Sequence, residues 1–175
     1  MKVVVVAGVS GVGKTTVAQE LATRLGDVEF AEADGFHPPE NVAKMASGVP
    51  LTDADREPWL RSIAGWIGDR ERVGRDGVVA CSALRRPYRD LLRDGHPSVI
   101  FVQLVAPVAE LENRLGTRTG HFMPASLLPS QLEALESLEP DEPGFVLEAD
   151  DDPASLVDVI IERIGILPTG ERIRE

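Results

Sequence analysis

The sequence predicts an α/β, doubly wound fold: a parallel sheet of about five strands flanked by helices. Three observations carry that expectation. The chain opens on an unbroken β-branched run, Lys2 to Ala7, as strands buried on both faces of a parallel sheet do. Strand-like and helix-like segments then alternate along the chain, the order that βαβ units require. A glycine-rich turn also joins the first strand directly to the first helix, and ligands of such sheets bind beyond the carboxyl ends of the strands.

Each element has its own justification. Residues 14 to 25 place Val17, Leu21 and Leu25 on one helical stripe, and Gly26 stands where that helix would stop. A short second strand is expected over 28 to 33. Thr52 with Asp55 resembles a capping box opening a helix through about residue 70, whose apolar side includes Trp59, Ile63 and Ile67. Trp59, Trp66 and Tyr88 read as packing residues. Strands three and four fall at Gly77 to Ser82 and Val99 to Val105. Pro107 suits the first turn of a helix bearing Val108, Leu111 and Leu115. A further helix is expected near 124 to 137, then a fifth strand at about 145 to 149. Asp152-Pro153 supplies an N-cap and first position for a last helix carrying Leu156, Val157, Ile160, Ile161 and Ile164. No repeat or linker divides the chain, so one domain over 1–175 is expected.

Composition excludes several classes. With 43 % hydrophobic and 27 % charged residues, wholesale disorder does not fit. The longest apolar run, Val3 to Ala7, cannot span a bilayer, and Gly8 to Lys14 follows it in place of a signal-peptide cleavage site. A lone Cys81 excludes an internal disulfide and a cysteine-based zinc site. A cytoplasmic location is expected. Net charge is −11, and from Thr119 to Glu162 there are 11 acidic residues and no Lys or Arg, which reads as a solvated face. An isoelectric point near 4.7 argues against nucleic acid or an anionic membrane as partner. A small anionic ligand is compatible, because the arginines concentrate in the first two thirds of the chain.

The turn after the first strand carries the chemistry. Gly8-Val9-Ser10-Gly11-Val12-Gly13-Lys14-Thr15 matches G-x-x-x-x-G-K-[ST] between a buried strand and a helix start, where its mechanism requires it. Glycines let the backbone curl so that N–H groups face phosphate oxygens, and the helix N-terminus adds positive potential. Lys14 would reach the β- and γ-phosphates, and the Thr15 hydroxyl would bind Mg²⁺. Residues 8 to 15 with Thr16 are therefore candidate ATP contacts. An incidental Gly-rich turn is the alternative, which the flanking elements disfavour. The third strand ends in Cys81-Ser82, so a carboxylate for the metal shell must come from elsewhere. The second strand runs into Glu32-Ala33-Asp34-Gly35-Phe36-His37-Pro38, where Asp34 is either a working acid or an Asx-turn before the prolines.

Further segments accompany it: Asn41 to Leu51 with Lys44-Met45 and Gly48-Val49-Pro50-Leu51; Asp55-Arg56-Glu57-Pro58-Trp59-Leu60; Cys81-Ser82-Ala83-Leu84-Arg85-Arg86; and Arg118 to Phe122 with Gly120-His121-Phe122. With the phosphate loop, and in this order, they resemble the gluconokinase family of small P-loop kinases, from the first strand to about residue 150.

The resemblance implies ATP and D-gluconate as substrates, Mg²⁺ as cofactor, and a small helical lid over about 114–137. The family's acidic pair falls on Glu32 and Asp34; relatives commonly carry Asp where this chain has Glu32, and the role of Glu32 stays open. Asp34 would orient or deprotonate the sugar hydroxyl, or hold Mg²⁺ through water. His37, Lys44, Arg56 and Arg85 lie in the segments that form the sugar-acid pocket, where a carboxylate substrate needs donors. Arg114 and Arg118, one helical turn apart, would close on the ATP phosphates, the alternative for Arg114 being a surface pair with Glu110. His121 would contact substrate or, with Phe122, pack the lid hinge. Lys14, Asp34 and Arg118 are the expected catalytic residues. Relatives are often homodimers, an expectation that extends to this chain. Two rivals stand beside this reading: another kinase of the same fold, acting on shikimate or a nucleoside monophosphate, and a non-catalytic ATP-binding regulatory module.

Overall fold

A computed structural model describes residues 1–26, 28–117, 125–149 and 152–165. Strand β1 (Val3–Ala7) leads into helix α1 (Lys14–Arg24), and β2 (Glu29–Glu32) into a 3₁₀ turn, Ala33–Phe36. Helices α2 (Pro39–Ala46) and α3 (Asp53–Arg72) precede β3 (Gly77–Cys81). Then come α4 (Arg86–Arg93), β4 (Val99–Val105) and α5 (Val108–Thr117). A 3₁₀ turn, Ala125–Leu127, runs into α6 (Leu128–Ala134), followed by β5 (Gly144–Glu148) and α7 (Pro153–Ile164).

The five strands are parallel in the order β2-β3-β1-β4-β5. The valine run of β1 is central, which explains its lack of polar alternation. Val4 and Val6 face one layer, with Val17 and Leu21 of α1 and Val157 and Ile160 of α7. Val3 and Val5 face the other, with Trp59, Ile63 and Ile67 of α3 and Leu92 of α4. Each strand residue is thus sealed by a helix on its own side, the two-faced burial that defines the doubly wound architecture.

The caps read from sequence are present. Thr52 and Asp55 form the reciprocal capping box of α3, and the Asp152 side chain accepts from the Ala154 and Ser155 amides at the start of α7. Three expectations are corrected. α2 and α4 add to the expected elements: the Asx-turn alternative before Pro38-Pro39 gives way to a helix, and each of the two helices places a proline in its first turn, where no amide donor is missed. The helix expected over 124–137 is only seven residues of α-helix; Leu135 leaves it extended (ψ 114°), and the Glu136 amide donates to the Leu84 carbonyl instead. Finally, β2 is not beside β1: β3 lies between them, and Asp34 sits on the 3₁₀ turn while Glu32 ends the strand.

Candidate active site

The carboxyl ends of β1, β3 and β4 are level, Ala7 pairing in register with both Cys81 and Gln103. From that edge the phosphate loop rises into α1. Gly8 lies at φ 141°, and a Cβ there would meet the Leu104 carbonyl oxygen at 2.6 Å, so only glycine fits. Gly13 caps α1 in the left-handed region at φ 100°. Gly8, Val9 and Ser10 are buried at the base of the loop, while Gly11, Val12, Gly13, Lys14, Thr15 and Thr16 line a cleft of about 370 Å³. The far wall of the cleft includes Arg114, Ala149 and Pro153.

Lys14 Nζ donates to the Val9 carbonyl at 2.9 Å, which holds the ammonium over the loop. Arg114 donates to the Val12 carbonyl at 3.3 Å and the Ala149 carbonyl at 2.7 Å, and also pairs with Glu110. The pair with Glu110, the sequence alternative for Arg114, is present, and the same guanidinium also reaches the loop at Val12.

Thr15 Oγ1 donates to Glu32 Oε2 at 2.7 Å. In register Glu32 stands across β3 from Val6, and the intervening β3 residue is Ala80, small enough to let the carboxylate reach the loop. Glu32, rather than Asp34, is thus the partner of the Thr15 hydroxyl. Trp59 Nε1 pins the 3₁₀ turn by donating to the Ala33 carbonyl at 2.7 Å, and this sets the position of Asp34. Burial pushes the Cys81 thiol up to about 12, the Asp34 carboxylate adding to the rise and Lys14 opposing it. Cys81 itself stays an inert thiol.

A second, narrow cavity of about 20 Å³ opens at the same edge. Its polar lining is His37, Arg56, Ser82, Ser130 and Gln131, and its apolar wall is a small cluster of Met45, Leu51 and Leu127. His37 stacks on Trp59, ring centroids 4.4 Å apart. Burial holds His37 down to about 4, with Arg56 lowering it further against the opposing pull of Asp34, so the ring is a neutral donor–acceptor at physiological pH. Asn41 Nδ2 lies 3.5 Å from His37 Nδ1 and donates to the Asp55 carbonyl at 2.7 Å. Arg56 lies over the Tyr88 ring and has no carboxylate paired with it among the described residues.

Lys44 and Arg85, expected in the same pocket as His37 and Arg56, each hold a carboxylate, Arg85 lying over the Tyr88 ring as Arg56 does. Lys44 Nζ donates to Asp55 Oδ2 at 2.6 Å, and with the Thr52 hydroxyl and amide it holds Asp55 well below the usual carboxylate range. Arg85 donates to Asp53 Oδ2 at 2.8 Å and faces Glu136 at 3.5 Å. Arg118 and His121 lie outside the described residues. Gln131 escaped the sequence reading, and Glu32 was named there with its role open. The Glu32 contact depends on strand order, which no local pattern reports. Gln131 had a signal: it is the polar residue on the stripe that Leu128 and Leu132 otherwise keep apolar.

A phosphate cradle at the carboxyl edge of a 2-3-1-4-5 parallel sheet, with a donor-lined cavity beside it, marks a nucleotide-dependent phosphotransferase of the P-loop kinase class. No family model matches the chain. A gluconokinase of Gluconobacter oxydans (strain 621H) is 50 % identical over 160 residues, 91 % of this chain and 87 % of that one. An unliganded sugar kinase from Janibacter sp. HTCC2649 superposes with a TM-score of 0.91 at 52 % identity, over 96 % of each chain. A gluconokinase from Sinorhizobium meliloti 1021 does so with a TM-score of 0.82 at 41 % identity, over 93 % of each. The chain belongs to the gluconokinase family.

Proposed function

We propose that the protein is a gluconokinase, which moves the terminal phosphoryl group of ATP to a hydroxyl of D-gluconate, giving ADP and 6-phospho-D-gluconate. The observation that carries this is the pairing of cavities: a cradle built for a nucleotide's phosphates beside a pocket that offers Arg56 and neutral His37 to an anionic polyol. Arg56 answers the carboxylate, and the stacked imidazole answers hydroxyls. At about 20 Å³ the pocket has room for little more than a water molecule, so a six-carbon acid must part its walls. The Met45–Leu51–Leu127 cluster is separate from the two main cores and can shift at low cost.

Chemistry of this kind requires positioning and charge neutralisation more than covalent help. Lys14 and Arg114 supply positive charge at the phosphates. Asp34, on the 3₁₀ turn that follows β2, is the acid that orients or accepts the proton of the attacking hydroxyl. The donor set also fits Mg²⁺: the Thr15 hydroxyl and the Glu32 carboxylate meet at 2.7 Å, with Asp34 nearby for a water-mediated contact. When bound, the ion would neutralise developing phosphate charge. A cytoplasmic location, where ATP is available, belongs to the same proposal. No helix among the described residues is long and apolar enough to cross a membrane.

The test is coupled ADP release measured across gluconate, shikimate and nucleoside monophosphates. Turnover with gluconate well above the others is expected. A preference for shikimate or a nucleotide would transfer the protein to a rival acceptor class, and ATP binding without any acceptor-dependent turnover would make it a regulatory module.

A further inference from the structure

The nucleotide cleft and the acceptor pocket share no lining residue, yet one side chain joins them. Gln131, on α6, lines the acceptor pocket, and its Oε1 accepts the backbone N–H of Ser10 at 2.6 Å. The contact is buried and bridges 121 positions of sequence. Gln131 is 7 % exposed and, with Leu128, is one of the two buried residues of α6. An amide therefore occupies a site where the stripe of the helix calls for a hydrocarbon. Burying an amide is costly unless its groups are hydrogen-bonded, so this placement depends on the loop it touches.

Ser10 is a telling partner. The later loop residues, Gly11 to Thr15, line the nucleotide cleft, whereas Ser10 does not and is buried on the other side of the loop. Its neighbours Val9 and Val12 are both anchored in the core layer that holds α1 and α7. The Ser10 amide is thus a fixed point of the cradle, and Gln131 is held to that point.

We propose that Gln131 is a positioning residue for phosphoryl transfer: by tying the acceptor pocket to Ser10, it fixes the distance and line between the attacking hydroxyl and the terminal phosphoryl group. It acts through the loop and the pocket rather than on the reacting atoms. The proposal rests on the reading of that pocket as the gluconate site. In-line transfer leaves little tolerance, a displacement of about 1 Å being enough to slow such a reaction about 10²-fold. A residue that only shaped the cradle would act on nucleotide affinity; a residue that sets the register of two substrates acts on turnover and on which acceptor, sugar or water, receives the phosphoryl group.

Two variants separate these roles. Gln131→Met keeps the length of the side chain and removes the amide. Gln131→Glu keeps an oxygen for the Ser10 amide. For each, kcat and KM for gluconate, ADP affinity by calorimetry, and ATP consumed per gluconate phosphorylated would be measured beside thermal unfolding. The expected result for Gln131→Met is a gluconate-dependent kcat lowered about 10²-fold, an ADP affinity within about threefold of the parent, and more ATP consumed per gluconate phosphorylated. Gln131→Glu, which keeps an accepting oxygen for the Ser10 amide, should hold kcat within about threefold of the parent with unchanged stoichiometry. If Gln131→Met does not fold, Gln131→Glu decides alone, and a kcat lowered about 10²-fold with the Ser10 bond kept overturns the proposal. In Gln131→Met, ADP affinity falling in step with kcat would reduce Gln131 to a strut of the nucleotide site, and unchanged kcat and stoichiometry would remove it altogether. A parent enzyme that does not phosphorylate gluconate would defeat both the pocket's reading and this proposal, whereas an active parent with an indifferent Gln131→Met defeats the proposal alone.

Discussion

Glu32 and Asp34 are two residues apart and have different work, because one ends a strand and the other begins a turn. The Glu32 carboxylate reaches across β3 to the Thr15 hydroxyl, while Asp34 is set by the 3₁₀ turn that Trp59 pins through the Ala33 carbonyl. The division gives a paired expectation. Asp34→Asn should lower kcat by roughly 10² and leave Mg²⁺-free ADP affinity unchanged, since loop amides and Lys14 carry that binding. Glu32→Gln should instead weaken Mg²⁺-dependent ADP affinity, because a neutral amide holds the Thr15 hydroxyl without contributing charge to the cation. Steady-state kinetics and calorimetry with and without Mg²⁺ check both. Near-parental kcat in Asp34→Asn would take Asp34 out of the reaction, and a loss confined to Mg²⁺-dependent affinity would place it in the metal shell. Sequence alone could name Asp34 from its neighbours but not rank Glu32, whose partner lies beyond a strand that the chain reaches 45 residues later.

Among elements, α3 and α4 build the acceptor side and are joined to the 136–142 loop by one buried ion pair. Arg89 and Glu142 are fully buried and meet through two bonds, at 2.6 Å and 2.8 Å. The same guanidinium donates to the carbonyls of Leu84, Glu136 and Ser137. Burial works to raise the Glu142 carboxyl, and the bonds from Arg89 outweigh it and hold it below its ordinary value. Its carboxylate therefore helps stability above the ordinary carboxyl range, and that help is lost as pH falls through the lowered value. Removing one partner strands a buried charge, so Arg89→Met should lower unfolding free energy by about 3–5 kcal/mol, while Arg89→Met with Glu142→Leu should recover much of it. Urea unfolding measures both, and a single variant within 1 kcal/mol of the parent, roughly the worth of a surface pair, would show that the pair is not holding the loop. This pair was invisible in sequence, where Arg89 is one more arginine in an arginine-rich stretch. What could be read were elements with strong local signals: the valines of β1, the capping box of α3 and the Asp152-Pro153 start of α7. The short helices α2 and α4 were hidden by the prolines that open them.

At the scale of the whole molecule, strand order makes the site. Hydrophobic patterning reports that a strand is buried but not which strand it lies beside, so β3's insertion between β1 and β2 could not be read from the chain. That insertion sets Glu32 and Asp34 across a short, small-residue strand end from the loop, and brings α6 from the far side to meet Ser10. The nucleotide and acceptor cavities thus open at one edge, and in the proposed reaction they work as a single phosphotransfer site centred on Lys14. Gluconate-dependent ADP release by Lys14→Ala, measured beside the parent with thermal unfolding as the control, tests this most directly. The loop's shape is set by its glycines and by the valines beneath it, so the variant should unfold at the parent's temperature with turnover abolished. A folded Lys14→Ala that releases ADP with gluconate at the parent's rate would contradict the account.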